Sequence, residues 1–201
     1  MNKEVVVFDF DGVIANTFKT CYEINKLSDP ELTLDEYRQR FTGNINHAKP
    51  EREPTKEIDF FAEFGKRILD APLFDGIQDV IEKISEAYKI VIVSSTITPL
   101  ISGYLIHHGL RDKFEDILGN DVATSKVEKL NMVLSRYGIT SSEAVLITDT
   151  VGDVAEAKKV GVPTIAVTWG YQPKEMLEQA QPNSLAENPA SILDAMSTMF
   201  S

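Results

Sequence analysis

Short, continuous apolar runs alternate with helical stripes along most of the chain. Residues 4–8 form a β-branched run that stops at Asp9-Phe10-Asp11-Gly12. Residues 89–93 repeat it and stop at Ser94-Ser95-Thr96, residues 144–148 stop at Asp149, and residues 163–168 stop at Trp169-Gly170. Runs that are apolar throughout, rather than at alternate positions, predict strands covered on both faces, as in a parallel sheet. Between them lie stripes at i, i+3 and i+4: Ile77, Val80, Ile81, Ile84 and Tyr88, then Leu130, Val133, Leu134 and Tyr137. Gly138 follows the second stripe, where a helix end takes a left-handed residue. The alternation predicts an α/β fold with a doubly wound, mainly parallel, Rossmann-like sheet. Pro189 is placed to start a last helix with Ile192, Leu193 and Met196 as its buried face.

One connection breaks the rhythm. A strand-to-helix connection usually takes a handful of residues, yet about sixty separate the first strand from the helix at Gly76. The stretch is not of low complexity. Phe18, Tyr22, Ile24 and Leu27 give a loose helical stripe, and Thr33-Leu34-Asp35-Glu36 has a capping-box pattern ahead of Tyr37 and Phe41. Thr55 is placed to cap a helix carrying Ile58, Phe61, Phe64, Ile68 and Leu69, and a polar loop from His47 to Pro54 lies between. The expected organisation is an α/β core from residues 1–14 and 74–201, with residues 15–73 inserted as a helical cap over the carboxyl ends of the strands.

Composition narrows the picture. A chain of 201 residues suits one compact domain with a modest insertion. Hydrophobic residues at 43% and charged residues at 25% suit a folded chain rather than a disordered one. A net charge of -11 repels nucleic-acid phosphates and anionic lipid, so neither is an expected partner. The single cysteine, Cys21, makes no intrachain disulfide, and no Cys-x-x-Cys pair suggests zinc. The apolar runs are far too short to span a bilayer, and the first strand begins too early to leave room for a signal peptide. The expectation is a cytoplasmic protein. No pattern sets an oligomeric state.

Ligands of open α/β sheets sit outside the carboxyl ends of the strands, and four strand ends here carry polar groups. Asp9 and Asp11 are two apart on extended chain, so both side chains point to one side while Phe10 points to the core. Two such carboxylates repel unless a proton or cation sits between them. Asp149 and Asp153 add a second acidic pair at another strand end, where capping of the next helix by Asp153 is the alternative. Oxygen-only ligands favour Mg2+. Ser94 and Ser95 can donate to phosphate oxygens, with N-capping by Ser95 or Thr96 as the alternative. Lys126, or Lys129 one turn on, can balance the acids and hold a phosphate. These parts suit phosphoryl transfer through a carboxylate nucleophile.

The combination resembles the haloacid dehalogenase superfamily, in the phosphoglycolate phosphatase-like branch with a small helical cap, over nearly the whole chain. Val7-Phe8-Asp9-Phe10-Asp11-Gly12-Val13 is similar to the first motif, Ile92-Val93-Ser94-Ser95 to the second, and Ile147-Thr148-Asp149-Thr150-Val151-Gly152-Asp153 to the fourth. Lys126 falls in the third. The resemblance implies a Mg2+-dependent phosphatase acting on a small phosphate ester. Asp9 is then the nucleophile and a metal ligand, and Asp11 the general acid/base whose backbone carbonyl also binds Mg2+. Ser94 holds the phosphoryl group, Lys126 steadies it, and Asp149 and Asp153 complete the metal site. A phosphosugar mutase of the β-phosphoglucomutase type and a non-catalytic binding protein on the same fold are the alternatives.

The chain departs from the family pattern at Asn16-Thr17, at Thr148, where glycine is usual, and at Val127 after the third-motif lysine. Of the insertion's cations Arg52, Lys49 and Lys56, one is expected to meet an anionic substrate. Trp169 is expected near the floor of the site or in the packing beneath it.

Overall fold

The structure is a computed structural model that describes residues 4–50 and 52–200. Glu51, within the expected polar loop, and residues 1–3 and 201 of the expected core lie outside the described residues. The strands are β1 (Val5–Phe8), β2 (Lys89–Val93), β3 (Asp116–Leu118), β4 (Ala144–Thr148), β5 (Thr164–Val167) and β6 (Ser184–Ala186). They form one sheet in the order β3-β2-β1-β4-β5-β6, with every neighbouring pair parallel. The chain winds outward from β1 in both directions, which is the expected doubly wound arrangement. Its topological switch point lies at β1 and β4, where such sheets open a crevice.

Helices α1 (Phe18–Ser28), α2 (Leu34–Gln39) and α3 (Phe60–Gly65) precede α4 (Ile77–Ala87). Then follow α5 (Thr98–His107), α6 (Lys126–Tyr137), α7 (Val151–Val160), α8 (Lys174–Gln179) and α9 (Ser191–Met199). Strand side chains alternate between two cores. Val6, Phe8, Ile90 and Ile92 pack with Ile77, Ile81 and Ile84 of α4, Tyr104 of α5 and Ile192 of α9. Val5, Val7, Val91 and Val93 pack with Leu130 and Val133 of α6 and Ala157 of α7. Helices on both faces explain why the strands read as unbroken apolar runs. Each fully buried side chain of this kind contributes about 1.5–3 kcal/mol.

The edge strands β3 and β6 were not expected from the pattern. Each has three residues and includes a polar one, too few to show a period. In the insertion, Thr33 and Glu36 form the expected capping box at α2, each side chain accepting from the other's backbone N–H. The expectation for Thr55 fails. Its hydroxyl donates to the Ser28 carbonyl at 2.9 Å, while Asp59 caps α3 by accepting from Ala62 N–H at 3.0 Å. The helix ends at Gly65, so Ile68 and Leu69 fall in a separate 3-10 turn, Ile68–Asp70. A carboxylate directly before the first helical turn is a strong cap, and glycine propagates a helix poorly.

The insertion sits closely on the core. A Cβ on Gly152 would come within 2.3 Å of the Gly43 carbonyl oxygen, so glycine here is what lets the insertion's loop approach α7. Asn44 and Asn46 donate to the Thr124 carbonyl at 3.1 and 2.9 Å. Phe18 and Phe41 each meet Tyr171 of the core edge-on, with ring centroids 5.0 Å apart. Among the described residues, no helix is long and apolar enough to cross a membrane.

Candidate active site

The register of the sheet assembles the site. Phe8 stands opposite Ile92 of β2 and Ile147 of β4, so Asp9, Ser94 and Asp149 emerge at about the same height. Gly12 (φ 76°) then turns the chain back. Phe10 is fully buried against Tyr104, with ring centroids 5.2 Å apart, as its alternate direction predicts.

Asp9 is held at both oxygens. Oδ1 accepts from Phe10 N–H at 2.7 Å, and Oδ2 is 2.7 Å from Lys126 Nζ. Lys126 reaches Asp153 Oδ2 at the same 2.7 Å and so bridges two carboxylates. Lys129, one turn along α6, is also buried, but its Nζ donates to the Ser94 carbonyl at 2.5 Å. The two lysines therefore divide the work that the sequence left open between them. Lys126 joins the acids, and Lys129 braces the end of β2. Asp153 is not the helix cap. Thr150 caps α7 by accepting from Asp153 N–H at 3.3 Å, and the Asp153 side chain takes a second hydrogen bond from Thr148 Oγ1 at 2.6 Å.

Asp9, Asp149 and Asp153 bring one oxygen each within 4.8 Å of one another. Asp149 Oδ2 accepts from Tyr171 N–H at 2.6 Å, while its Oδ1 is buried without a partner. Glycines wall this carboxylate in. A Cβ on Gly12 would lie 1.9 Å from Asp149 Oδ2, and one on Gly170 would lie 2.3 Å from Asp149 Cβ. A buried carboxylate with one orphaned oxygen, grouped with two other carboxylates, fits a hard divalent cation such as Mg2+. The charges agree. Asp9, Asp11, Asp149 and Asp153 line one cavity with Lys126 and Arg40, a formal excess of two negative charges among the described lining residues.

The electrostatics follow from that crowding. Burial raises Asp9 to about 7; Lys126 opposes the rise and Asp153 adds to it. Burial, then the Asp9 charge, pushes Asp149 well above the usual carboxylate range. Asp153 is also buried, but Lys126 and Thr148 outweigh burial and hold it low. For Lys126, burial works against the ammonium, yet Asp153 and Asp9 keep it above the usual lysine range. Lys129 falls to about 8 through burial and repulsion from Lys126.

Asp11 is set apart from the carboxylate triangle. Its Oδ1 accepts from Thr17 Oγ1 at 2.8 Å and its Oδ2 from Thr96 Oγ1 at 2.7 Å. Burial raises it, and those two hydroxyls only partly oppose the rise. Thr17 gives its one proton to Asp11, so Tyr171, 3.0 Å away, is the donor in the Thr17–Tyr171 bond. Ser94 Oγ accepts from Thr96 N–H at 3.0 Å, which leaves its own proton to donate. Thr17, Thr96 and Tyr171 were not singled out from sequence as site residues, because isolated hydroxyls carry no spacing signal.

A cavity of about 390 Å³ opens above these groups, lined below by Asp9, Asp11, Ser94, Ser95 and Lys126 and above by the insertion. The expected cations do not line it. Arg52 forks onto Glu36 at 2.8 and 2.8 Å and reaches Asp29 at 3.3 Å, and Lys49 and Lys56 lie outside the lining. Arg40 lines it instead. Trp169 packs near Phe74 and donates to the Val13 carbonyl at 3.3 Å.

The haloacid dehalogenase-like hydrolase family model matches residues 6–167, from β1 through β5. The chain belongs to this family. The family resemblance seen in the motifs therefore holds, and the chain is a hydrolase of that kind. It is 24% identical to the phosphoglycolate phosphatase of Synechococcus elongatus over 98% of this chain and 99% of that one. It is 27% identical to the pyrophosphatase PpaX of Listeria monocytogenes over 94% of each. Among solved structures, CbbY from Rhodobacter sphaeroides in complex with phosphate superimposes with a TM-score of 0.77 at 20% identity, covering 96% of this chain and 99% of that one. At that identity the likeness speaks for the fold of this haloacid dehalogenase-like hydrolase.

Proposed function

We propose that this hydrolase is a Mg2+-dependent phosphatase that cleaves a small phosphomonoester through an aspartyl-phosphate on Asp9. The observation that carries the reading is the Lys126 ammonium seated between Asp9 and Asp153, two carboxylates grouped with Asp149, which has an orphaned oxygen. Asp9, Asp149 and Asp153, with the Asp11 backbone carbonyl, would hold the metal. Bound there, Mg2+ offsets the carboxylate charge and the charge on the phosphoryl oxygens. Asp9, fixed at both oxygens, attacks phosphorus. Lys126 and the Ser94 hydroxyl hold the phosphoryl oxygens in place. Asp11, whose hold on a proton burial strengthens and which Thr17 and Thr96 aim, gives a proton to the leaving oxygen. The carboxylate so formed then takes a proton from the water that hydrolyses the aspartyl-phosphate. Residues 15–73 serve as the cap that excludes bulk water and reads the leaving group.

The reading is tested by phosphate release from a panel of phosphomonoesters with and without Mg2+. Metal-dependent release of inorganic phosphate is expected. A product that stays phosphorylated points to a mutase. Lys126→Met is expected to lower kcat/KM by about 10²–10³, as loss of a charge-stabilising donor does. Lys129→Met touches only the Ser94 carbonyl, so about tenfold is expected. Steady-state kinetics of the two variants separate these roles.

Metal binding should also depend on pH. The folded value of Asp9 lies at about 7, above its ordinary 3.8. The metal-free fold therefore gains from holding that proton at low pH and loses this gain as pH rises through about 7. A cation takes the proton's place on Asp9, and Asp149 is raised as well, so Mg2+ affinity is expected to fall at least about tenfold per pH unit below 7. The gain in Tm on adding Mg2+ should be larger at about pH 7.5 than at about pH 5.5. Calorimetry in buffers of different ionisation enthalpy checks the proton release.

A further inference from the structure

We infer that the leaving group suited to this cavity is an uncharged, flat, ring-bearing one rather than a second acid. The inference rests on the phosphatase reading and names its substrate class. The insertion's share of the cavity wall is mostly apolar, through Tyr37, Phe41, Ile45, Pro50, Phe60 and Phe61. Two aromatic groups come from separate stretches of chain. Phe41 is fixed edge-on to Tyr37 and Tyr171, at 5.2 and 5.0 Å. Phe60 and Phe61 open α3 and meet each other edge-on at 5.5 Å. Phe41, Phe60 and Phe61 are only half-buried, so each keeps apolar surface that a ligand ring can cover. Rings gain from edge-on and offset contacts beyond the area they bury.

Size and charge point the same way. The cavity of about 390 Å³ exceeds what a phosphate on a two-carbon acid fills, since a water-sized group takes about 30 Å³. Among the described residues, Arg40 is the cation that the insertion adds to the lining; its guanidinium makes one hydrogen bond and one looser ion contact, and its Nε is buried without a hydrogen-bond partner. Nη1 donates to Asn25 Oδ1 at 3.1 Å, and Nη2 lies 3.9 Å from Asp29 Oδ2. Asn25 cannot turn away freely, because its amide N–H is held by the Cys21 carbonyl at 2.8 Å. Arg38 is spent over the Phe18 ring, 5.2 Å from its centroid. A carboxylate on the leaving group would be desolvated against aromatic rings and would have to draw Arg40 away from Asn25 and Asp29, which is costly. The site thus differs from what the name of its phosphoglycolate phosphatase relative implies for that protein.

Calorimetry on the full-length, Mg2+-loaded protein tests this with three phosphonates that share one head group and cannot be hydrolysed. Benzylphosphonate is expected to bind at least about tenfold tighter than methylphosphonate, and tighter than 3-phosphonopropionate, which carries a carboxyethyl group in place of the benzyl group. Phe61→Ala is expected to remove most of the benzyl gain. Methylphosphonate binding with no gain from the ring, or phosphonopropionate binding as tightly as benzylphosphonate, overturns the inference and leaves the phosphatase reading standing. No binding of any phosphonate with Mg2+ present counts against both. The wild-type comparison decides the matter whether or not the variant folds.

Discussion

Asp9→Asn is expected to lower kcat by about 10⁴–10⁶, the loss seen when a covalent nucleophile is removed, while the chain stays folded. The carboxamide is nearly isosteric, so it keeps the acceptor for Phe10 N–H but attacks phosphorus poorly. Stability should not follow activity. Burial and the neighbouring acids already hold Asp9 at about 7, so its negative charge is unwelcome in the metal-free fold. Removing that charge takes one partner from Lys126 but leaves the 2.7 Å contact to Asp153. The metal-free variant is therefore expected to melt no lower than the wild type, and to gain less Tm from Mg2+. Kinetics beside thermal melts separate a chemical role from a structural one, and activity within tenfold of wild type contradicts the role of Asp9.

Gly12→Ala is expected to break the metal site from the backbone side. Its φ of 76° already disfavours a side chain, by about 1–2 kcal/mol for an L-residue. The added methyl would also fall on Asp149 Oδ2 and within 2.7 Å of the Tyr171 ring. Asp149 cannot retreat, because Gly170 backs it and Tyr171 N–H holds it at 2.6 Å. Strain and overpacking together predict a loss of about 2–5 kcal/mol in stability. Mg2+ affinity is expected to fall by about 10–100-fold, as when the groups that position metal ligands are altered. Gly76→Ala is the control. It has a similar φ of 83°, but open space where the methyl would go. It should cost about 1–2 kcal/mol and leave metal binding intact. Equal Mg2+ affinity in the two variants would show that crowding at Asp149 has no role.

Much of this site was legible because strand ends concentrate chemistry. Unbroken apolar runs located β1, β2, β4 and β5, and the polar residues that stop them are the ones the sheet brings together. The edge strands were not legible, since Ile117 and Leu185 stand in runs too short to carry a period. The choice between Lys126 and Lys129 was hidden for a geometric reason. Three residues apart, they share one face of α6 and both are buried, so only their distances to Asp9, Asp153 and the Ser94 carbonyl distinguish them. Thr17, Thr96 and Tyr171 aim Asp11 from three separate segments, a relation that only the fold creates. Thr148, a departure from the family pattern, has a local use: its hydroxyl fixes Asp153 at 2.6 Å. Arg52 looked free in sequence because Glu36 and Asp29, which neutralise it, lie 16 and 23 residues away.

Attack by Asp9 is tested most directly by trapping its product. The Mg2+-loaded enzyme is mixed with a turned-over phosphomonoester, quenched in acid during turnover and reduced with borohydride, which converts an acyl phosphate on aspartate to homoserine. Peptide mass spectrometry then reads position 9. Homoserine at position 9 in the wild type, dependent on substrate and Mg2+ and absent from Asp9→Asn, is the expected result. Phosphate release that continues in Asp9→Asn, with aspartate unmodified at position 9 of the wild type, would contradict it.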